Sequence, residues 1–157
     1  MTKWPLFRFA PFAVFAVTTG APLRIENPNQ SAEPAQVAIV GVDYAFVQPP
    51  AVLGAGPTLF SFQNRGTKRH ELSIALLKAG VVAKSLMTGG ERAPMSSRAV
   101  SDSVIGILIA RPGERAGGQL WAHLLSGRSY VIICTLKDVP DAQPHTALGM
   151  IASFRVR

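Results

Sequence analysis

Apolar residues along this chain fall into short runs, alternating or continuous, that stop at Pro, Gly or small polar residues: 36–40, 43–47, 57–64, 71–77, 104–110, 119–125, 129–135 and 151–157. Runs of this length, rich in Val, Ile, Leu and Phe, predict β-strands, because successive side chains on a strand face opposite sides of a sheet. Eight of them with turns between predict an all-β domain, an antiparallel sandwich of two packed sheets. Residues 79–100 break the pattern. There Val81, Val82, Ser85, Leu86 and Met95 are spread among Gly89, Gly90 and polar residues, which predicts a helical turn or two within a loop insert. No internal repeat is present, and no second domain is needed.

The N-terminus follows a different logic. Lys3 and Arg8 flank a basic start, and residues 9–17 form an apolar stretch about half the roughly 20 residues a membrane-spanning helix needs. Small residues Thr18, Thr19, Gly20 and Ala21 come next, so residues 1–20 read as a secretory signal peptide cleaved after Gly20. Residues 21–35, with Pro, Asn, Gln and Ser and no apolar period, read as a flexible tether, leaving 36–157 as the folded domain. The expected product is periplasmic or secreted, monomeric, and not inserted in the membrane after cleavage.

Composition narrows the partners. The full chain carries +7, and loss of Lys3 and Arg8 would leave fourteen basic against nine acidic residues, or +5. Lys68, Arg69, Lys84, Arg92, Arg98, Arg111, Arg115 and Arg128 are scattered, without a basic run or interleaved aromatics. Nucleic acid is therefore not an expected partner, whereas an acidic redox protein is. Gly54-Ala55-Gly56 and Gly117-Gly118 lack a following lysine and helix, so they are turns and not phosphate cradles.

The single cysteine, Cys134, carries the chemistry. It cannot form an internal disulfide, and in an oxidising compartment a lone thiol is a liability unless buried or metal-bound. It ends an apolar strand, His145 follows after ten residues and Met150 after four more, with His70 sixty-four residues upstream of the cysteine. Two imidazoles, one thiolate and a weak axial thioether are the ligand set of a mononuclear blue-copper centre. Singly, each residue has a plain alternative: a core thiol, a turn cap, a loop histidine, a core filler. His123, between Trp121 and Leu125 with no thiol or carboxylate near it, reads as a surface or partly buried packing residue and not as a ligand. A Cys-His hydrolase would want its thiol in an activating, partly open site, which a strand end does not provide. Multicopper enzymes need more histidines than these three, so no enzymatic activity is expected of this chain.

Asn64-x-Gly66-x3-His70 and Cys134…His145-x4-Met150 resemble the ligand motifs of the cupredoxins, the small blue-copper proteins. Asp43-Tyr44-Ala45-Phe46, His70-Glu71-Leu72, Asp141-Ala142-Gln143-Pro144-His145 and Leu148-Gly149-Met150 are similar to an exported bacterial cupredoxin-like group. The resemblance spans residues 36–157. It implies a Greek-key β-sandwich with one type 1 copper held by His70, Cys134, His145 and Met150, passing single electrons between redox proteins. His145 is expected to reach the surface through a small apolar patch. Two features depart from the family pattern. The loop from Cys134 to His145 is longer than in the smallest members. Glu71 stands where many relatives carry Asn, and a carboxylate cannot donate a hydrogen bond unless protonated. It is expected to accept from backbone N–H groups or to pair with Lys68 or Arg69. The same ligands could instead hold Cu(I) for delivery, and a metal-free sandwich acting as an interaction module is the remaining alternative.

Overall fold

Strand β4, Gly56–Asn64, displays the organising pattern: Thr58, Phe60, Phe62 and Asn64 are buried, and the residues between them are only partly so. The architecture was obtained as a computed structural model, which describes residues 1, 33–82, 86 and 100–157. The proposed signal peptide beyond Met1, almost all of the tether and most of the 79–100 insert lie outside the described residues. The other strands are β1 (Ala35–Val42), β2 (Ala45–Val47), β3 (Val52–Leu53), β5 (His70–Leu77), β6 (Ser101–Ala110), β7 (Leu120–Leu124), β8 (Ser129–Ile133) and β9 (Ile151–Val156). They form a four-stranded sheet in the order β2-β1-β4-β7 and a five-stranded sheet in the order β3-β9-β8-β5-β6.

All eight expected strands are present, within a residue or a few at each end. The ninth, β3, has only two residues and follows Pro49-Pro50, too short for any periodicity to register. The expected purely antiparallel pairing needs correction, because β1 pairs with β4 in parallel and β3 pairs with β9 in parallel. After the β1–β2 hairpin the chain leaves for the second sheet at β3. It returns on the far side of β1 running in β1's direction, and a period-two pattern marks a strand without specifying its neighbour.

The inward faces of both sheets make one core. Ile39, Phe46, Phe60, Phe62 and Leu124 from the first sheet meet Leu72, Ile74, Tyr130, Ile132 and Phe154 from the second. Tyr130 and Phe154, opposite one another on β8 and β9, stack at 5.2 Å, and the Tyr130 hydroxyl accepts the Leu125 N–H at 3.0 Å, so the ring's polar end is satisfied. Strand β5 is buried along its whole length because its outer face is covered too. Val81, Leu86 and Val100 from the insert pack with Ala75, Leu77, Val131 and Ile133. Those contacts involve the far half of β5 from His70, so the described part of the insert shields the outer face of the sheet.

Four connections gather at one end of the sandwich: the β1–β2 turn, the β4–β5 loop, the β6–β7 loop and the segment between β8 and β9. Pairing of His70 with Ala110, of Ser73 with Ile133 and of Gly41 with Asn64 fixes that end. Core truncation should be far more costly than surface truncation here. Phe60→Ala is expected to lower unfolding free energy by about 3–5 kcal/mol in urea titration. Trp121→Ala, at a residue 59% exposed, should stay within about 1 kcal/mol, the scale of a typical single substitution.

Candidate metal centre

His70 opens β5, Cys134 follows the last residue of β8, and His145 begins a single 3-10 turn, His145–Leu148. Pro144 caps that turn in an extended conformation, and Gly149 ends it at φ 114°, a conformation glycine adopts without strain. The reversal lets Met150 N–H donate to His145 O at 3.0 Å and Cys134 N–H donate to Met150 O at 3.1 Å. Backbone bonds thus tie together three of the four residues singled out in the sequence. Thr146 strengthens the link, its N–H and hydroxyl both donating to Cys134 O, at 2.7 and 2.6 Å.

Three of the four side chains, those of His70, Cys134 and His145, converge. His70 Nδ1 and His145 Nδ1 lie 3.0 Å apart, Cys134 Sγ is 3.3 Å from His145 Nδ1 and 3.9 Å from His70 Nδ1. With bonds of about 2.0–2.3 Å, as imidazole and thiolate make to a borderline-soft cation, three donors in a trigonal plane sit about 3.5–3.7 Å from one another. The observed triangle brackets that size. Among the described residues, these three form a group whose donor atoms all lie within 4.8 Å. Met150 is fully buried in the same core cluster as Cys134, and a Cβ built on Gly41 would sit 3.0 Å from its Cε.

The outer nitrogens decide what the inner ones can do. His70 Nε2 lies 3.1 Å from Asp43 Oδ1, and His145 Nε2 lies 3.1 Å from Asp138 Oδ1. Hydrogen bonding from the Thr67 hydroxyl above all, then from His70 and the Lys68 and Thr67 N–H groups, holds the Asp43 carboxyl well below the usual carboxylate range. Asp138 is lowered in the same sense, first by the Tyr44 hydroxyl, then by His145 and the charge of Lys68. Ionised carboxylates only accept, so each Nε2 carries a proton and donates it. With each Nε2 bonded outward, both Nδ1 atoms turn inward toward one another and the Cys134 sulfur, an arrangement suited to a cation between them. Burial pushes the Cys134 thiol up to about 11, so a metal must displace its proton to use it as thiolate.

Glu71 takes the place expected of an amide in the opposite sense. Its carboxylate accepts from Thr135 N–H at 2.8 Å and Thr135 hydroxyl at 2.6 Å, and its own backbone N–H donates to Cys134 Sγ at 3.3 Å. The two ligand loops are joined by an acceptor, and of the two expected roles it is the backbone-accepting one that is realised. Asn64, fully buried, shapes the loop before His70: its Nδ2 donates to Lys68 O at 2.7 Å and Ala110 O at 3.2 Å, while Oδ1 accepts Gly66 N–H at 2.8 Å. Gly66 has to be a glycine. An added Cβ would collide with Asp43 Oδ1 and come within 3.0 Å of His70 Nε2.

Two expectations for histidines are settled by burial. His145 does not reach the surface; it is 1% exposed, with Asp138 on its outer nitrogen and the Tyr44 ring 5.1 Å away. The exposed apolar residue of its turn is Leu148. His123 stands on the exposed face of β7, paired with Pro57 at the opposite end of β4 from Asn64, and outside the cluster. Missed in the sequence were Asp138 and Tyr44, whose shared hydrogen bond joins residues 94 positions apart, and Asp43's bond to His70. The Asp43-Tyr44 dipeptide was singled out only as a family likeness.

A two-sheet β-sandwich with a His-Cys-His cluster at one end is the architecture of the cupredoxins, and the chain has that fold. No protein-family model matches it, nor does any curated protein sequence. Solved structures do. Dithionite-reduced auracyanin from the photosynthetic bacterium Roseiflexus castenholzii superposes with a TM-score of 0.53 at 17% identity, over 78% of this chain and 97% of that one. Auracyanin B gives 0.52 at 19%, over 79% and 90%. Auracyanin A, a "blue" copper protein from the green thermophilic photosynthetic bacterium Chloroflexus aurantiacus, gives 0.51 at 18%, over 79% and 99%. Auracyanins are blue-copper cupredoxins, and at these identities what this chain shares with them is the fold.

Replacing Glu71 should expose the cost of its acceptor role. Glu71→Ala leaves Thr135 N–H without its carboxylate, and stability is expected to fall by about 1–3 kcal/mol in chemical denaturation. Cys134, shielded in the parent chain, should then react faster with a thiol reagent such as Ellman's. An unchanged reaction rate would mean that Glu71 does not secure the cysteine loop.

Proposed function

We infer that the protein is an exported electron carrier that binds one copper ion through His70, Cys134 and His145, with Met150 as the weak axial ligand. The observation that carries this reading is the convergence of two inner ring nitrogens and one thiol, each outer ring nitrogen tied to a carboxylate, in a cupredoxin fold. The donor set matches a type 1 copper site in kind and number. Copper supplies a one-electron couple when bound in such a set. The chain's residues enclose the donors, fix the imidazole tautomers and keep water away.

Enclosure also bears on the alternatives. His70, Cys134, His145 and Met150 are at most 1% exposed, and Asp43, Tyr44 and Asp138 stand against the outer sides of the two imidazoles. A delivery protein has to surrender its ion to a partner's ligands, which this closed arrangement opposes, whereas electron transfer needs only a short path. An enzymatic role is opposed for the same reason, since a substrate has no approach to the thiol or the imidazoles. The rim around the site carries exposed Arg65, Lys68, Arg69 and Lys137, which favours docking of an acidic redox protein. Among the described residues no helix is long and apolar enough to cross a membrane. Export rests on the N-terminal sequence.

Titrating Cu(II) into the purified full-domain protein should give one copper per chain and an intense visible thiolate-to-copper band. Cys134→Ser should abolish the band, and His145→Ala should weaken it. Met150→Leu should retain copper but raise the reduction potential. Tight copper without colour would support Cu(I) handling instead. A failure to retain copper would overturn the reading and leave a sandwich with a buried thiol.

A further inference from the structure

Both histidines are gripped from outside by one two-residue turn, and nothing in the cupredoxin reading requires it. Val42 pairs with Ala45, so Asp43 and Tyr44 alone connect β1 to β2. Asp43 accepts from His70 Nε2 at 3.1 Å. The Tyr44 hydroxyl donates to Asp138 Oδ2 at 2.6 Å, and the other oxygen of Asp138 accepts from His145 Nε2 at 3.1 Å. The Tyr44 ring stands edge-on to both imidazoles, 5.1 Å from His145 and 6.4 Å from His70. One hairpin tip from the first sheet thereby spans two ligands supplied by the second.

The backbone at this turn is informative. Tyr44 has φ 64°, in the left-handed region that costs a non-glycine residue about 1–2 kcal/mol. Hairpin turns place Gly, Asn or Asp at such positions, because those residues adopt positive φ readily. A tyrosine there persists only where surrounding contacts over-determine it, and strain of this kind marks functional positions. Its contacts here are the hydroxyl bond to Asp138 and the two ring contacts, all of which point to the metal cluster. Asp43 in turn anchors the loop before His70 by accepting Thr67 N–H at 2.8 Å, Thr67 hydroxyl at 2.6 Å and Lys68 N–H at 3.1 Å.

We propose that Asp43, Tyr44 and Asp138 form an outer clamp that holds both imidazoles in the Nε2–H tautomer, strengthens them as donors and biases the site toward its oxidised metal. The inference rests on the copper reading for its redox part and on the hydrogen-bond geometry for its structural part. A carboxylate accepting from the far nitrogen of a ligating histidine fixes the ring and raises its basicity. Removal of such a partner typically weakens metal binding about 10–100-fold. Two carboxylates beside one site add negative charge that stabilises the higher oxidation state. Tyr44 acts through Asp138, as a positioning residue.

The test uses the domain, first without metal and then loaded with Cu(II). Long-range nitrogen–proton NMR of the metal-free chain should place the proton of both rings on Nε2, with slow exchange. Tyr44→Gly, which relieves the backbone strain as it removes the ring and hydroxyl, should leave the domain folded yet speed exchange of the His145 Nε2 proton. In the loaded protein, Asp138→Asn keeps an acceptor but removes its charge, and should raise the reduction potential. Tyr44→Phe should shift it the same way by less, and Cu(II) affinity should fall up to about 100-fold in the Asp138→Asn variant. Unchanged potential and affinity in both variants would overturn the proposal, as would fast exchange of both ring protons in the parent. A parent chain that took up no copper would overturn the functional reading, and the ring-proton exchange would then decide the clamp by itself.

Discussion

The constraint on which the site depends is that two imidazoles face one another at 3.0 Å through Nδ1 while each spends its Nε2 proton on a carboxylate. The thiol beside them keeps its proton because burial pushes its pKa up, and three donor atoms gathered this closely suit a shared cation. The surrounding elements are what hold the donors at that distance: a strand start for His70, a strand end for Cys134 and a tight helical turn for His145.

Those elements are rigid for separable reasons. His70 is placed by a loop that Asn64 and Asp43 hold from opposite sides, and Gly66 leaves the space through which Asp43 reaches the ring. Cys134 is placed by backbone bonds to Met150 and Thr146 and by the Glu71 N–H on its sulfur. The Glu71 carboxylate then joins the two ligand loops by receiving two hydrogen bonds from Thr135. An amide in its position would present a donor as well as an acceptor, so the chain solves the same linkage with different chemistry. A carboxylate there also adds charge close to the cysteine, in the same direction as Asp43 and Asp138.

How much of this could be read from the sequence follows from the range of each interaction. Strand β4 announces itself because Phe60 and Phe62 alternate with polar Ser61 and Gln63, and its neighbours in the chain supply turns. Its parallel pairing with β1 is invisible, since register between sheet neighbours depends on where the chain crosses between layers. His70, Cys134 and His145 stand out by type and order as a candidate donor set, because few chemistries call for that combination. Their outer partners were not. Asp138 sits in a polar loop where a carboxylate is unremarkable, and Tyr44 reads as one more strand residue. Their significance appears only when residues 94 positions apart share a hydrogen bond.

Placing His145 out of solvent changes how an electron would leave. A histidine at the surface would couple copper to a partner through one ring. Here Tyr44 and Asp138 cover that ring, and Leu148 of the same turn is the exposed apolar contact. On the electron-carrier reading both routes would be short, because Asp138 touches His145 directly and Leu148 lies three residues along the same turn. The cover therefore lengthens the path by little, while it excludes water from two donors and fixes their orientation. Orientation matters more to an electron carrier than exposure: a site whose ligands are held the same way with either oxidation state has little to rearrange when charge moves. On the copper reading the strained turn at Tyr44 has a physical rationale, because about 1–2 kcal/mol of local backbone cost is matched by the roughly 10–100-fold in metal affinity, about 1.4–2.7 kcal/mol, that an outer partner on a ligating histidine supplies.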